Sequence, residues 1–209
     1  MHIDIYHDTV CPWCRIGKAN LEVALQDWPN RDSVTVVYHT FFLNEGLPPE
    51  GADFRNYMTQ KVGGHIPLEV MFDGPRRAGA VVGLQFNFEA ITRAPNTLRS
   101  HCLIAVAPEA QRPAVIEALY AAYFDDGQDI GQAQVLSQVG RKVGLAEESI
   151  QRALHDEELA ASLFEEAHYA QQSGITGVPF FILNHKLAFS GAQPPVLILK
   201  ALKQAATMP

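Results

Sequence analysis

Two thiols separated by two residues, Cys11-Pro12-Trp13-Cys14, are the part of this 209-residue chain best suited to chemistry. A thiolate with a second thiol in reach is the minimum for thiol–disulfide exchange: the first sulfur attacks and the second displaces it. The motif follows a short alternating start (Ile3, Ile5) and heads a stretch of helical periodicity. That placement sets the sulfurs one turn apart at a helix N-terminus, where unpaired N–H groups and the helix dipole favour the ionised thiol. Cys11, ahead of the helix, is expected to be the more exposed sulfur and the nucleophile. Cys14 is expected to be buried, protonated when reduced, and able to resolve a mixed disulfide. Pro12 suits the first turn, because its missing N–H is not needed there.

Paired thiols can also be half of a zinc site, which needs two further ligands. Neither a second C-x-x-C nor a closely spaced His pair accompanies them, so no metal ligand is assigned. Cys102, among Leu103, Ile104 and Val106, reads as an inert packed hydrophobe. His7 reads as a solvated residue at a strand end rather than a tuner of Cys11. Asn96-Thr97 reads as a helix cap, Phe41 and Phe42 as core or cleft wall, and Glu157-Glu158 with Glu165-Glu166 as a solvated helix face.

The elements that must hold the thiols follow from hydrophobic periodicity. Ile3–Tyr6 and Val34–Phe42 read as strands and Arg15–Trp28 as the helix between them, a right-handed β-α-β unit with parallel strands. Past a Gly/Pro loop (Gly46, Pro48, Pro49, Gly51) the pattern turns helical. Helices are predicted over Phe54–Val62, Leu68–Val82, Thr97–Ala107, Ala114–Phe124, Ala133–Val143, Glu147–His155 and Glu158–Gln172. Strands Phe180–Leu183 and Leu187–Ser190 then flank a tight turn at Asn184-His185-Lys186, and Val196–Ala206 is a last helix opened by Pro194-Pro195.

At 47% hydrophobic and 19% charged, the chain can build an ordinary globular core. A net charge of −7 argues against nucleic acid or an anionic membrane as partner. No apolar run is long enough to span a bilayer. The N-terminus lacks the basic and apolar regions of a secretory signal, and three cysteines do not make a disulfide scaffold, so a cytoplasmic protein is expected.

C-P-W-C at the first helix together with Thr176-Gly177-Val178-Pro179 resembles the DsbA family, and specifically its FrnE-like branch. Smaller patches point the same way: Phe42-Leu43-Asn44, Asn96-Thr97 with His101, and Ser190-Gly191-Ala192-Gln193-Pro194. The branch is similar in architecture to 2-hydroxychromene-2-carboxylate isomerases and kappa-class glutathione transferases. The resemblance implies an α/β, thioredoxin-like fold interrupted by a helical insertion. Residues 1–45 and 174–209 would form its two parts and 46–173 the insertion. It also implies a cis bond before Pro179, in a loop lying against Cys11 and Cys14. There Val178, with Pro12 and Trp13, would contact substrate, the Val178 backbone pairing with an extended peptide. Strongly oxidising members carry His where this chain has Trp13, so a less oxidising couple is expected.

The expected activity is disulfide exchange with protein, peptide or small-molecule substrates. No cofactor is called for beyond the Cys11–Cys14 pair, with glutathione as co-substrate or a thioredoxin-type reductant as electron partner. One alternative is a glutathione-dependent isomerase or transferase, though such relatives replace the first thiol with Ser. The other is a chaperone-like or metal-binding module using the same cleft.

Overall fold

Four strands in the order β2-β1-β5-β6 form the central sheet of the computed structural model, which describes residues 1–209. Strand β1 (His2–His7) runs parallel to β2 (Thr35–Thr40) and antiparallel to β5 (Phe180–Leu183), and β5 pairs antiparallel with β6 (Leu187–Ser190). The crossover from β1 to β2 is helix α1 (Pro12–Gln26). Alternation along β1 sends Ile3 and Ile5 to one face, where they pack with Leu21 and Leu25 of α1. Ile198 and Leu202 of α9 (Pro195–Thr207) complete that layer. The opposite parity turns Asp4 and Tyr6 toward the other face, where β2 meets helix α8 (Glu157–Gln172).

Between β2 and β5 lie a two-residue ladder, β3 (Ala52–Asp53) with β4 (Arg93–Ala94), and most of the helices. These are α2 (Phe54–Lys61), α3 (Leu68–Val81), α4 (Leu98–Ala105), α5 (Arg112–Tyr120), α6 (Ala133–Lys142) and α7 (Glu147–His155), followed by α8. Periodicity places nearly all of them within a few residues. Three features escape it. The β3–β4 ladder is too short to show alternation. The predicted Ala114–Phe124 helix begins at Arg112 and changes at Ala121–Asp125 into a π turn. The helix read from Arg15 begins at Pro12, which leaves Cys11 as its N-cap and puts Cys14 in its first turn.

The β5–β6 turn has positive φ at Asn184 (50°) and His185 (56°), the backbone that a tight hairpin of this hand requires. The Val178–Pro179 peptide is cis. Gly17 in α1 lets this segment approach closely, because a Cβ there would sit 3.0 Å from Pro179 Cγ and 3.2 Å from Phe181 Cζ.

Candidate active site

Cys11 is the N-cap of α1, with Pro12 at the first helical position. Its Sγ accepts the Cys14 N–H at 3.3 Å and donates to the Val178 carbonyl at 3.7 Å. One sulfur therefore touches both the helix start and the Pro179 loop. Both thiols of the pair are nearly inaccessible, Cys11 at 3% and Cys14 at 2%, which corrects the expected difference in exposure. What separates them is what each faces. Cys11 lines a cavity of about 290 Å³, whereas Cys14 is enclosed. Burial pushes the Cys14 thiol well above its ordinary pKa, with the contact to Cys11 adding to the effect.

The cavity is walled by Val10, Pro12, Trp13 and Val178 on one side and by aromatic residues of the helical block on the other. Phe54, Phe72 and Phe88 stack in series, with ring centroids 5.8 and 4.4 Å apart. Trp13 is 41% exposed and runs beside Gly74 of α3, where a Cβ would lie 3.5 Å from the indole. Pro12, Trp13 and Val178 thus all border the cavity that holds Cys11. Phe41 and Phe42 are buried and stay outside its lining, Phe42 packing on His101 and Phe164.

Lys61 is the one charged side chain in the lining. Its ammonium is held by the Leu43 carbonyl (3.2 Å) and Asn44 Oδ1 (2.6 Å). Burial lowers its pKa, while its electrostatic interactions with Asp8 and Cys11 oppose that shift. The sequence around the motif offered only His7 as a tuner of Cys11 and carries no mark of this charge, which arrives from the last turn of α2.

The loop carrying Cys11 is fixed by a buried polar network. Asp8 accepts the Leu43 N–H at 2.7 Å and lies 3.3 Å from His101 Nε2, and its carbonyl accepts the Cys11 N–H at 3.1 Å. Thr9 Oγ1 pairs with Ser100 Oγ at 2.7 Å. His7 is not solvated: it is 2% exposed, with Nδ1 3.2 Å from the Tyr120 hydroxyl. Burial, reinforced by neighbouring His101, pushes its pKa well down, so the ring is neutral.

Arg15, one residue past the motif, binds Glu117 and Asp125 with Nη atoms at 2.9 and 2.6 Å, tying α1 to the helical block. Cys102 is fully buried, and burial pushes its thiol up to about 11. Asn96 Oδ1 accepts the Leu98 N–H, so Asn96 rather than Thr97 caps α4. The acidic face of α8 is not wholly solvated, since Glu157 pairs with Arg99 and Glu166 with His39.

A thiol pair at the head of the first helix, beside a cis-proline loop and in a sheet split by a helical block, defines a thioredoxin-fold protein with an inserted helical region. Comparison with known proteins fixes the family: the model of the DSBA-like thioredoxin domain matches residues 2–203, and the chain belongs to that family. It is similar to the probable DsbA oxidoreductase SCO1869 of Streptomyces coelicolor, at 31% identity and TM-score 0.88, over 100% of this chain and 91% of that one. Two more distant structures share the fold. A 2-hydroxychromene-2-carboxylate isomerase is 17% identical, with TM-score 0.74 over 99% of this chain and 96% of that one. The cytosolic disulfide reductase DsbM of Pseudomonas aeruginosa, in a structure with glutathione, is 18% identical, with TM-score 0.68 over 100% of both chains. These neighbours fit the FrnE-like branch of the family.

Proposed function

We propose that this protein is a cytoplasmic thiol–disulfide oxidoreductase in which Cys11 attacks and Cys14 resolves. The observation that carries the reading is the asymmetry around the pair. Cys11 Sγ borders the cavity and receives the Cys14 N–H, while Cys14 is enclosed and held protonated. The Cys11 thiolate attacks one sulfur of a substrate disulfide, forming a mixed disulfide and releasing the other sulfur as thiolate. Cys14 loses its proton and attacks the Cys11 sulfur, releasing the second substrate thiolate and leaving a Cys11–Cys14 disulfide. Substrate gains two electrons and the pair loses two. Two glutathione thiols, or a thioredoxin-type dithiol, return them. Run backwards, the same steps oxidise a substrate dithiol. Pro12, Trp13 and Val178 shape the entry and Pro179 holds the Val178 carbonyl on Cys11.

The test is disulfide exchange with glutathione disulfide and with a peptide disulfide. Cys11→Ser should abolish it, and Cys14→Ser should trap a mixed disulfide at Cys11. Faster alkylation of Cys14 than of Cys11 in the reduced protein at neutral pH would reverse the roles. A second reading, glutathione-dependent isomerisation of a small apolar substrate, is favoured by the cavity, thirteen of whose seventeen lining residues are hydrophobic. It requires turnover that depends on glutathione and survives Cys14→Ser.

A further inference from the structure

At the end of β1 remote from the thiols, three side chains from distant parts of the chain converge. His2, Asp4 and His185 place one ligand atom each within 4.8 Å of one another. We propose that they form a binding site for a divalent transition cation of the zinc type.

The decisive atom is Asp4 Oδ2. The Asp4 side chain is only 10% exposed, yet this oxygen has no hydrogen-bond partner. An unpartnered buried carboxylate oxygen is costly, and native folds rarely leave one without a use. It faces His185 Nδ1 at 3.5 Å. The other oxygen is committed: Oδ1 takes His39 Nε2 at 2.8 Å and lies 3.1 Å from His2 Nε2. The separations of 3.1 Å from His2 Nε2 to Oδ1 and 3.5 Å from His185 Nδ1 to Oδ2 lie on either side of the spacing of about 3.3 Å between ligand atoms in a tetrahedron with bonds of about 2.0–2.1 Å.

The surroundings are those of a held site. His39 carries the carboxylate from behind, and its Nδ1 is fixed by Glu166 Oε1 at 2.8 Å, the kind of outer support that orients a metal-bound carboxylate. The turn bearing His185 is pinned to the first residue of β1. The His2 N–H donates to Asn184 Oδ1 and the Asn184 N–H to the His2 carbonyl, both at 2.8 Å. The His2 and His185 rings lie 4.7 Å apart, and His185 is 71% exposed, which gives an ion a route in from solvent. Two imidazoles and one carboxylate select zinc, cobalt or nickel over magnesium or calcium, whose shells are built from oxygen. With three protein ligands the fourth position falls to water. Bound there, the ion would staple the β5–β6 hairpin to the start of β1. The site is independent of the thiol chemistry proposed above.

The test is calorimetric titration of the full-length chain with zinc chloride. It is done in a Cys11→Ser, Cys14→Ser background, so that the thiols do not compete for metal. One equivalent should bind and raise the melting temperature. His185→Asn, which keeps a residue tolerant of the left-handed turn, and His2→Gln should each weaken binding by at least about tenfold with the metal-free melting temperature unchanged. Zinc bound no tighter than millimolar, or equally well by His185→Asn, would overturn the proposal.

Discussion

Two buried aspartates, Asp4 within β1 and Asp8 just past its end, are used in opposite ways. Asp8, just past the strand, has both oxygens engaged, one by the Leu43 N–H and one by His101. Asp4 spends one oxygen on two histidines and leaves the other without a hydrogen bond, 3.5 Å from His185 Nδ1. A buried carboxylate with a partner on each oxygen acts as a structural rivet, and here it fixes the loop that presents Cys11. A buried carboxylate with an orphan oxygen is the mark of a site. The same residue type, four positions apart, is read by its partners and not by its burial.

The sharpest way to break that contrast is to remove each carboxylate in turn. Asp8→Ala strands the Leu43 N–H and the His101 ring in the interior, and should cost about 3 kcal/mol in urea unfolding. It should also slow disulfide exchange, because Cys11 loses its anchored loop. Asp4→Ala in metal-free protein removes an already incomplete set of partners and should cost about 1 kcal/mol. Equal losses for the two variants would erase the distinction.

At the thiol end the seam between α1 and the helical block should be nearly as sensitive. Arg15→Met leaves Asp125 without its cation and Glu117 with only its longer pairing to Lys18, at 3.5 Å. Both carboxylates are partly open to solvent, so the expected loss is about 2 kcal/mol by urea unfolding. An unchanged midpoint would show that α1 is held by apolar packing alone.

Alkaline pH should weaken the fold more gently, through the buried thiols. The Cys102 thiol is raised from 9.0 to about 11, so between those values the folded chain keeps a proton that the unfolded chain gives up. The resulting stabilisation is complete below pH 9.0 and disappears as pH rises through about 11. Cys14 shifts in the same direction. Unfolding free energy should therefore fall across this window, and Cys102→Ala should flatten the slope while leaving exchange activity near the parent level.

The smallest effect is expected at Gly17. Gly17→Ala gains about 1 kcal/mol of helix propensity but puts a methyl against Pro179 and Phe181, an overpacking cost of about 1–3 kcal/mol. The melting temperature should drop slightly, and exchange should slow several-fold as the Val178 carbonyl is pushed off Cys11. Unaltered exchange would detach that loop from the chemistry.

Local pattern alone carried the dithiol to a helix start, the hairpin turn at Asn184-His185, and most helices to within a few residues. Each rests on spacing within one turn or one strand, which the chain states directly. It also made Pro179 a residue to look for near the thiols, through its resemblance to a family. What it could not state is which distant residues would meet. Arg15 binds Asp125 across 110 positions, Asp4 is held by His39 and faces His185, and Lys61 enters the Cys11 cavity from another helix. Nothing local marks these partners, because topology alone brings them together. The same limit misplaced His7, whose strand-end position suggested solvent until α4 and α5 closed over it. Sequence determined that two sulfurs stand three residues apart at a helix start. Tertiary packing decided that one of them borders a cavity while the other is sealed, since burial is a property of what the rest of the chain covers.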